Sequence, residues 1–294
     1  MATSAVAREA VCALRREIAR IEGTLAERLD GPARESRPAL LATGAGRLDV
    51  ALGGGLPRAA LTEIHGRQTR DSGAVAGFTL ALAALALKEA DQPLPLLWVA
   101  AGEAFSEAGS PYAPGILHRF GIAPALLLVA GARRIEDALW IAEEAAALTA
   151  LSAVILEVRG SSRRLDLTAT RRLHHRARDA ARPLFLLRQM GEPEPTAAPV
   201  RLVVAPAPAG KRRTLFGLMA GSIGPPAFTV TVSRSPAAHA ASLVVEWNAH
   251  ERAFVERHAS RQWTQDHGAV AALPFDGAHP ADASGSVVAL RRRA

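Results

Sequence analysis

Apolar residues recur along this chain in three rhythms. Near its start Ala7, Val11, Leu14, Ile18, Ile21 and Leu25 alternate spacings of four and three, the seam of an amphipathic helix over residues 1–30. One edge of that helix wants a partner, whether a neighbouring subunit, another protein or the chain's own core. Residues 31–41 hold Gly31, Pro32 and Pro38 among charges and read as a linker. Short apolar runs then alternate with longer helical stretches. The runs at 61–64, 94–99, 125–129, 153–158, 183–188 and 200–205 read as strands. The stretches 75–90, 135–149 and 167–181 read as helices, with an irregular one around 115–120. Strands joined through helices of this length imply βαβ crossovers and a mostly parallel sheet covered on both faces, so the fold class is α/β. After Pro208 the rhythm shortens to period two. Phe228, Val230 and Val232 alternate with threonines, and 243–247 with Phe254 give further strand signals, an antiparallel addition at the sheet edge. The organisation read from this pattern is a helix (1–30), a linker (31–41), a core (42–208), a β extension (209–260) and a flexible tail (261–294) ending in Arg291, Arg292 and Arg293.

With 294 residues, 49% of them hydrophobic, the chain can bury one substantial core. Its single cysteine, Cys12, excludes an internal disulfide framework and a cysteine-cluster metal site, and fits a reducing cytosol. Glu9, Arg15, Arg16 and Glu17 interrupt the apolar residues at the start, so no signal peptide is expected. The run 74–87 is short and alanine-rich for a bilayer span, and the expectation is a soluble cytoplasmic protein with no membrane partner. A net charge of +7 points towards nucleic acid. Yet of 35 basic residues only Lys88 and Lys211 are lysine, and an arginine- and alanine-rich composition of this kind also follows from a GC-rich genome. The charge concentrates in Arg159, Arg163, Arg164, Arg171, Arg172, His174, His175, Arg176, Arg178 and Arg182, opposed by Asp166 and Asp179. That stretch suits single-stranded DNA, an acidic partner or a solvated helix face, and it lacks the aromatics on which unpaired bases stack. Lys211, Arg212 and Arg213 admit the same readings. His174 and His175 are adjacent, so on a helix their rings diverge, and no metal site is assigned.

The candidate chemistry lies in the turn after the first core strand. A phosphate-binding loop needs G-x-x-x-x-G-K-[ST], because backbone amides cradle the phosphates, the lysine reaches them and the hydroxyl binds Mg²⁺. The run 61–64 ends at His65 and Gly66, and a small-residue helix follows, so the context is right. Counted from Gly66, the second glycine falls on Asp71. A glycine comes only at Gly73, followed by Ala74 and Val75 instead of lysine and a hydroxyl residue. Arg70 offers a positive charge, but Asp71 sets a carboxylate beside the phosphate position. No cofactor and no catalytic residue are therefore expected, ATP with Mg²⁺ being disfavoured, and the turn is read as structural.

The segment Leu48-Asp49-Val50-Ala51-Leu52-Gly53-Gly54-Gly55-Leu56-Pro57, leading into that strand, is similar to a RecA family pattern. Three further segments, Gly109 with Ser110-Pro111-Tyr112-Ala113-Pro114-Gly115-Ile116, Ala132 with Arg133-Arg134-Ile135-Glu136-Asp137-Ala138-Leu139-Trp140, and Val245-Glu246-Trp247-Asn248, resemble the ImuA family in the same order. These are RecA-related inducible mutagenesis proteins of bacterial translesion-synthesis operons, and the resemblance spans roughly residues 40–255. It implies a RecA-like core with a degenerate Walker A loop in a non-catalytic, SOS-induced accessory protein, nucleoid-associated when DNA is damaged. The implied partners are an ImuB-like Y-family relative and an error-prone DNA polymerase α subunit. By position the resemblance implies that Glu157 stands where active relatives hold the Mg²⁺ water shell. Glu103 falls near the glutamate that orients attacking water, and Gln189 near the glutamine that senses the γ-phosphate. With Gly66, Arg70 and Gly73 these make up a degenerate nucleotide site. The segment after Gln189, Met190-Gly191-Glu192-Pro193-Glu194-Pro195, is acidic and proline-rich, unlike a loop that wraps a phosphate backbone. RecA relatives dock an N-terminal element on a neighbour, so Val11, Leu14, Ile18, Ile21 and Leu25 are expected to serve self-association or contact with a partner, RecA included. Two alternatives stay open: an ATP-dependent DNA-binding ATPase using Arg70 and Glu157, and a SulA-like inhibitor of cell division.

Overall fold

The computed structural model describes residues 39–88, 92–102, 104–105, 109–191, 194–215, 217–237 and 240–257. The expected N-terminal helix with Val11, Leu14, Ile18, Ile21 and Leu25, most of the linker, Glu103, Glu192, Pro193 and the tail lie outside the described residues.

Three glycines shape the entrance to the core. Strand β1 (Leu40–Leu41) pairs antiparallel with β2 (Leu56–Pro57), and helix α1 (Gly46–Leu52) lies between them in sequence, burying Leu48, Ala51 and Leu52. Gly53, Gly54 and Gly55 follow with φ of 86°, 115° and 140°, backbone that L side chains avoid. A Cβ on Gly55 would stand 2.6 Å from the Leu41 carbonyl oxygen, so the glycine run is what lets β2 return beside β1. Leu40 and Leu41 consequently belong to the fold and not to the linker expected over 31–41. Leu41 is fully buried, and removing its side chain from water favours the ordered strand.

The main sheet has nine strands, in the order Ala253–Glu256, Ala241–Asn248, Ala227–Arg234, Val200–Ala207, Leu61–Gly66, Leu184–Gln189, Ala153–Arg159, Leu96–Ala101 and Leu127–Ala132. Its parallel part comprises β3 (Leu61–Gly66), β4 (Leu96–Ala101), β5 (Leu127–Ala132), β6 (Ala153–Arg159), β7 (Leu184–Gln189) and β8 (Val200–Ala207). Helices α2 (Ser72–Lys88) and α3 (Ala113–Phe120) cover one face, and α4 (Ile135–Ala146) and α5 (Leu167–Asp179) the other. Because both faces are covered, β3 and β7 are buried at every residue, and β7 opens with four consecutive apolar residues. Helix α2 is apolar all round and buried at every residue from Phe78 to Ala86. With the 3-10 turn Thr69–Asp71 in front of it, this segment is long and apolar enough to cross a membrane, longer than the run 74–87 suggested. Its burial against the sheet accounts for that apolar character.

Beyond β8 the sheet continues antiparallel through β11 (Ala227–Arg234), β12 (Ala241–Asn248) and β13 (Ala253–Glu256). Period two is visible directly. Phe228, Val230, Val232, Leu243, Val245 and Trp247 are buried, while Thr231 and Ser242 face solvent with their hydroxyls 3.1 Å apart. Phe78 on α2 meets Phe254 with ring centroids 4.9 Å apart and Phe228 at 5.6 Å, and Trp247 packs on Phe254 at 5.1 Å. The β extension therefore shares the core's interior. Between β8 and β11 the chain leaves the sheet and forms a short hairpin, β9 (Arg213–Thr214) with β10 (Gly217–Leu218).

Candidate functional site

At the carboxyl end of β3, Gly66 opens the turn that leads into α2. The Asp71 carboxylate turns inward: it is 6% exposed, and its Oδ2 accepts the Gln68 backbone N–H at 3.0 Å. Gln68 reciprocates by capping the Asp71 amide with its side chain, a closed box at the head of the helix. The helix N-terminus, where amides and dipole would attract a phosphate, is thus served by the chain's own anion. Sterics agree, since a Cβ on Gly66 would stand 2.6 Å from Val75 Cγ2 and 3.3 Å from Asp71 Cβ. Gly66 is a glycine because those two side chains close over it. At Gly73 an added Cβ meets nothing within 4 Å, so no close approach requires that glycine. Arg70 is exposed and forms no ion pair among the described residues.

Three expected site residues do come together. Gly66 is the register partner of Gln189 on β7, and Gln189 Nε2 donates to Glu157 Oε1 on β6 at 2.7 Å. The other Glu157 oxygen accepts the Trp98 indole N–H at 3.0 Å. Glu157 is 4% exposed, and burial pushes its carboxyl above the usual range, with the Trp98 hydrogen bond and the Arg159 charge opposing. Met190 closes the corner: its N–H donates to the Gly66 carbonyl at 2.9 Å, and its sulfur accepts the Thr69 hydroxyl at 2.8 Å. The side chain expected to sense a phosphate is instead hydrogen-bonded to the carboxylate expected near Mg²⁺.

On the opposite face of β3 lies a buried charge network that the sequence did not announce. Glu63 is wholly buried; its Oε2 accepts from Thr196 Oγ1 at 2.7 Å and from Arg201 Nε at 2.8 Å. Its Oε1 lies 2.8 Å from His65 Nε2 and 3.4 Å from Arg188 Nη1. Burial alone would raise the Glu63 carboxyl, but His65, Thr196 and Arg201 outweigh it and hold it at about 2. Arg188 reaches on to Glu194 at 2.8 Å, and Arg201 also bonds the Glu194 carbonyl, so Glu194 is pinned to the sheet. The only sequence signal was charge embedded in strands otherwise apolar.

The basic stretch is partly neutralised. Arg164 pairs with Glu136 at 3.1 Å and Arg172 with Glu143 at 3.0 Å, both carboxylates on α4. Arg163, Arg171 and Arg176 are exposed, and Arg159 is half-buried at the end of β6. Asp166 caps α5 by accepting the Ala169 N–H at 2.7 Å. His174 Nδ1 accepts the Leu61 N–H at 3.3 Å, tying α5 to β3, and burial lowers its pKa. Among the described residues no group of three His, Cys, Asp or Glu is arranged to hold a metal ion.

This chain matches no family model and no curated protein. The site's meaning therefore rests on its geometry.

Proposed function

We propose that this chain is a RecA-like frame that no longer cycles ATP and serves as a non-catalytic accessory protein in an SOS-induced translesion-synthesis complex. In this reading it docks an ImuB-like Y-family relative and an error-prone polymerase α subunit, in the cytoplasm and at the nucleoid after DNA damage. The observation that carries it is Asp71, a carboxylate that caps the helix where a phosphate would sit and is locked there by Gln68. A mostly parallel sheet with the strand before this turn in its interior supports the frame. The juxtaposition of Gly66, Gln189 and Glu157 supports descent from a nucleotide site. The same juxtaposition favours the second reading, an ATP-dependent DNA-binding ATPase.

A titration of the purified chain with Mg²⁺ and ATP separates the two. The accessory reading expects no saturable binding and no rise in melting temperature. Saturable binding that disappears in Arg70→Ala and Glu157→Ala overturns it. The partner assignment is tested by co-purification with the ImuB-like protein, expected for the full chain and lost when residues 1–30 or those after 255 are removed.

A further inference from the structure

Two hollows of about 600 Å³ each flank the excursion between β8 and β11. The first is apolar, with Ala76 and Gly77 of α2, Ile116 of α3, Pro206 and Phe228 in its wall and Tyr112, 73% exposed, at its rim. The second is basic: Arg119, Lys211, Arg212 and Arg257 line it, against one carboxylate, Glu246, which pairs with Arg257 at 3.1 Å. Arg119 lines both, so they form one groove, apolar at one end and cationic at the other. The excursion is braced internally, with Arg212 N–H donating to Ser222 Oγ at 2.8 Å and Gly224 N–H to the Gly210 carbonyl at 2.7 Å. On the basic side stand Leu218 and Ile223, 67% and 84% exposed.

We infer that this groove docks an extended acidic segment of a partner protein, which places an apolar side chain in the first hollow and its carboxylates against Arg119, Lys211 and Arg212. Charge selects the occupant. A second copy of this chain would bring a net charge of +7 towards an already cationic surface, whereas an acidic segment is complementary to it. An oligonucleotide would satisfy the cations but not the apolar end, which is lined mainly by aliphatic, glycine and proline residues and offers bases one exposed aromatic, Tyr112. Leu218 and Ile223 add apolar contact beside the cations, the mixture a nonpolar anchor flanked by carboxylates would meet. The inference rests on the reading of this chain as a docking frame, though not on its nucleotide chemistry.

The test is selection of a random-peptide display library on the full chain, counter-selected on the Lys211→Glu/Arg212→Glu double variant. The enriched peptides are then measured by fluorescence anisotropy. Enriched sequences should set Asp or Glu beside a large apolar residue. Charge reversal at Arg119 or at Lys211 and Arg212 should weaken them by about tenfold or more. Ala76→Trp, which fills the apolar hollow, should weaken them similarly, and Tyr112→Ala at the exposed rim repeats that arm if the tryptophan disturbs folding. Enrichment without acidic residues overturns the inference, as does affinity unmoved by the charge reversals or displacement of the peptide by an equal concentration of poly-dT. Saturable ATP binding with the groove still selecting acidic peptides would overturn the proposed function and leave the groove standing. Absence of both would overturn the groove alone.

Discussion

A carboxylate that closes its own turn takes up an amide that a phosphate-binding loop would offer, and sets a negative charge in the phosphate's place. Asp71 does this from a buried position, so its removal separates the structural role from any nucleotide role. Asp71→Ala should cost about 1 kcal/mol, the usual loss of a helix cap, read by urea denaturation, and should not create ATP binding, because Ala74 and Val75 still supply neither lysine nor hydroxyl. Glu63 predicts behaviour in acid. Its folded pKa of about 2 lies below the ordinary 4.5, so its contribution is complete above pH 4.5 and is lost as pH falls from there towards 2. That lowering is worth about 3 kcal/mol. Glu63→Gln should flatten this acid limb in denaturation curves taken across that window. At neutral pH it should cost about 3–5 kcal/mol, since Arg188 and Arg201 lose their shared counter-charge. Glu157 has the opposite sign: its raised pKa favours the fold at low pH and ceases to do so as pH climbs through the folded value.

Among the elements, two glycines of similar appearance in the sequence have opposite roles. Gly55→Ala forces a side chain onto a φ of 140° and against the Leu41 carbonyl, and should destabilise by about 1–3 kcal/mol. Gly73→Ala, in the first turn of α2 with open space around it, should stabilise by about 0.5–1 kcal/mol; thermal melts of the two variants decide the contrast. The sequence made strand centres legible wherever burial on both faces produced an apolar run, as from Ala153 to Leu156 in β6 and from Leu184 to Leu187 in β7. Ends moved where proline intervened. Pro93 and Pro95 hold the start of β4 back to Leu96, and the 3-10 turn Pro124–Leu126 delays β5 to Leu127. The meeting of Gly66, Gln189 and Glu157 was also legible, because Gly66 and Gln189 end neighbouring parallel strands and Glu157 lies two residues before the end of the next. The Glu63 network was not. Its members are scattered over β3, β7, β8 and the link before β8, and the registers Glu63 with Arg201 and His65 with Arg188 bring them together. The inward turn of Asp71 was hidden likewise, since a polar residue in a glycine-rich turn reads as exposed.

For the molecule as a whole, the strands after Pro208 close the interior. Phe228, Trp247 and Phe254 complete the cluster around Phe78, and Ser235 Oγ bonds the Ala51 carbonyl at 2.7 Å, joining the late strands to α1. A chain truncated after residue 208 should therefore show no cooperative thermal transition and should bind a hydrophobic dye, whereas a separable extension would leave a folded core. The first half of the sheet is likewise incomplete without the second, because β3 lies between β7 and β8, both far later in sequence. On the ribosome this order has a cost. Helix α2, apolar on every side, emerges early, and the sheet that buries it is completed only when β6, β7 and β8 follow and Phe228 of β11 reaches Phe78. The nascent chain carries that sticky helix exposed through most of its synthesis, which makes it a natural client for chaperones.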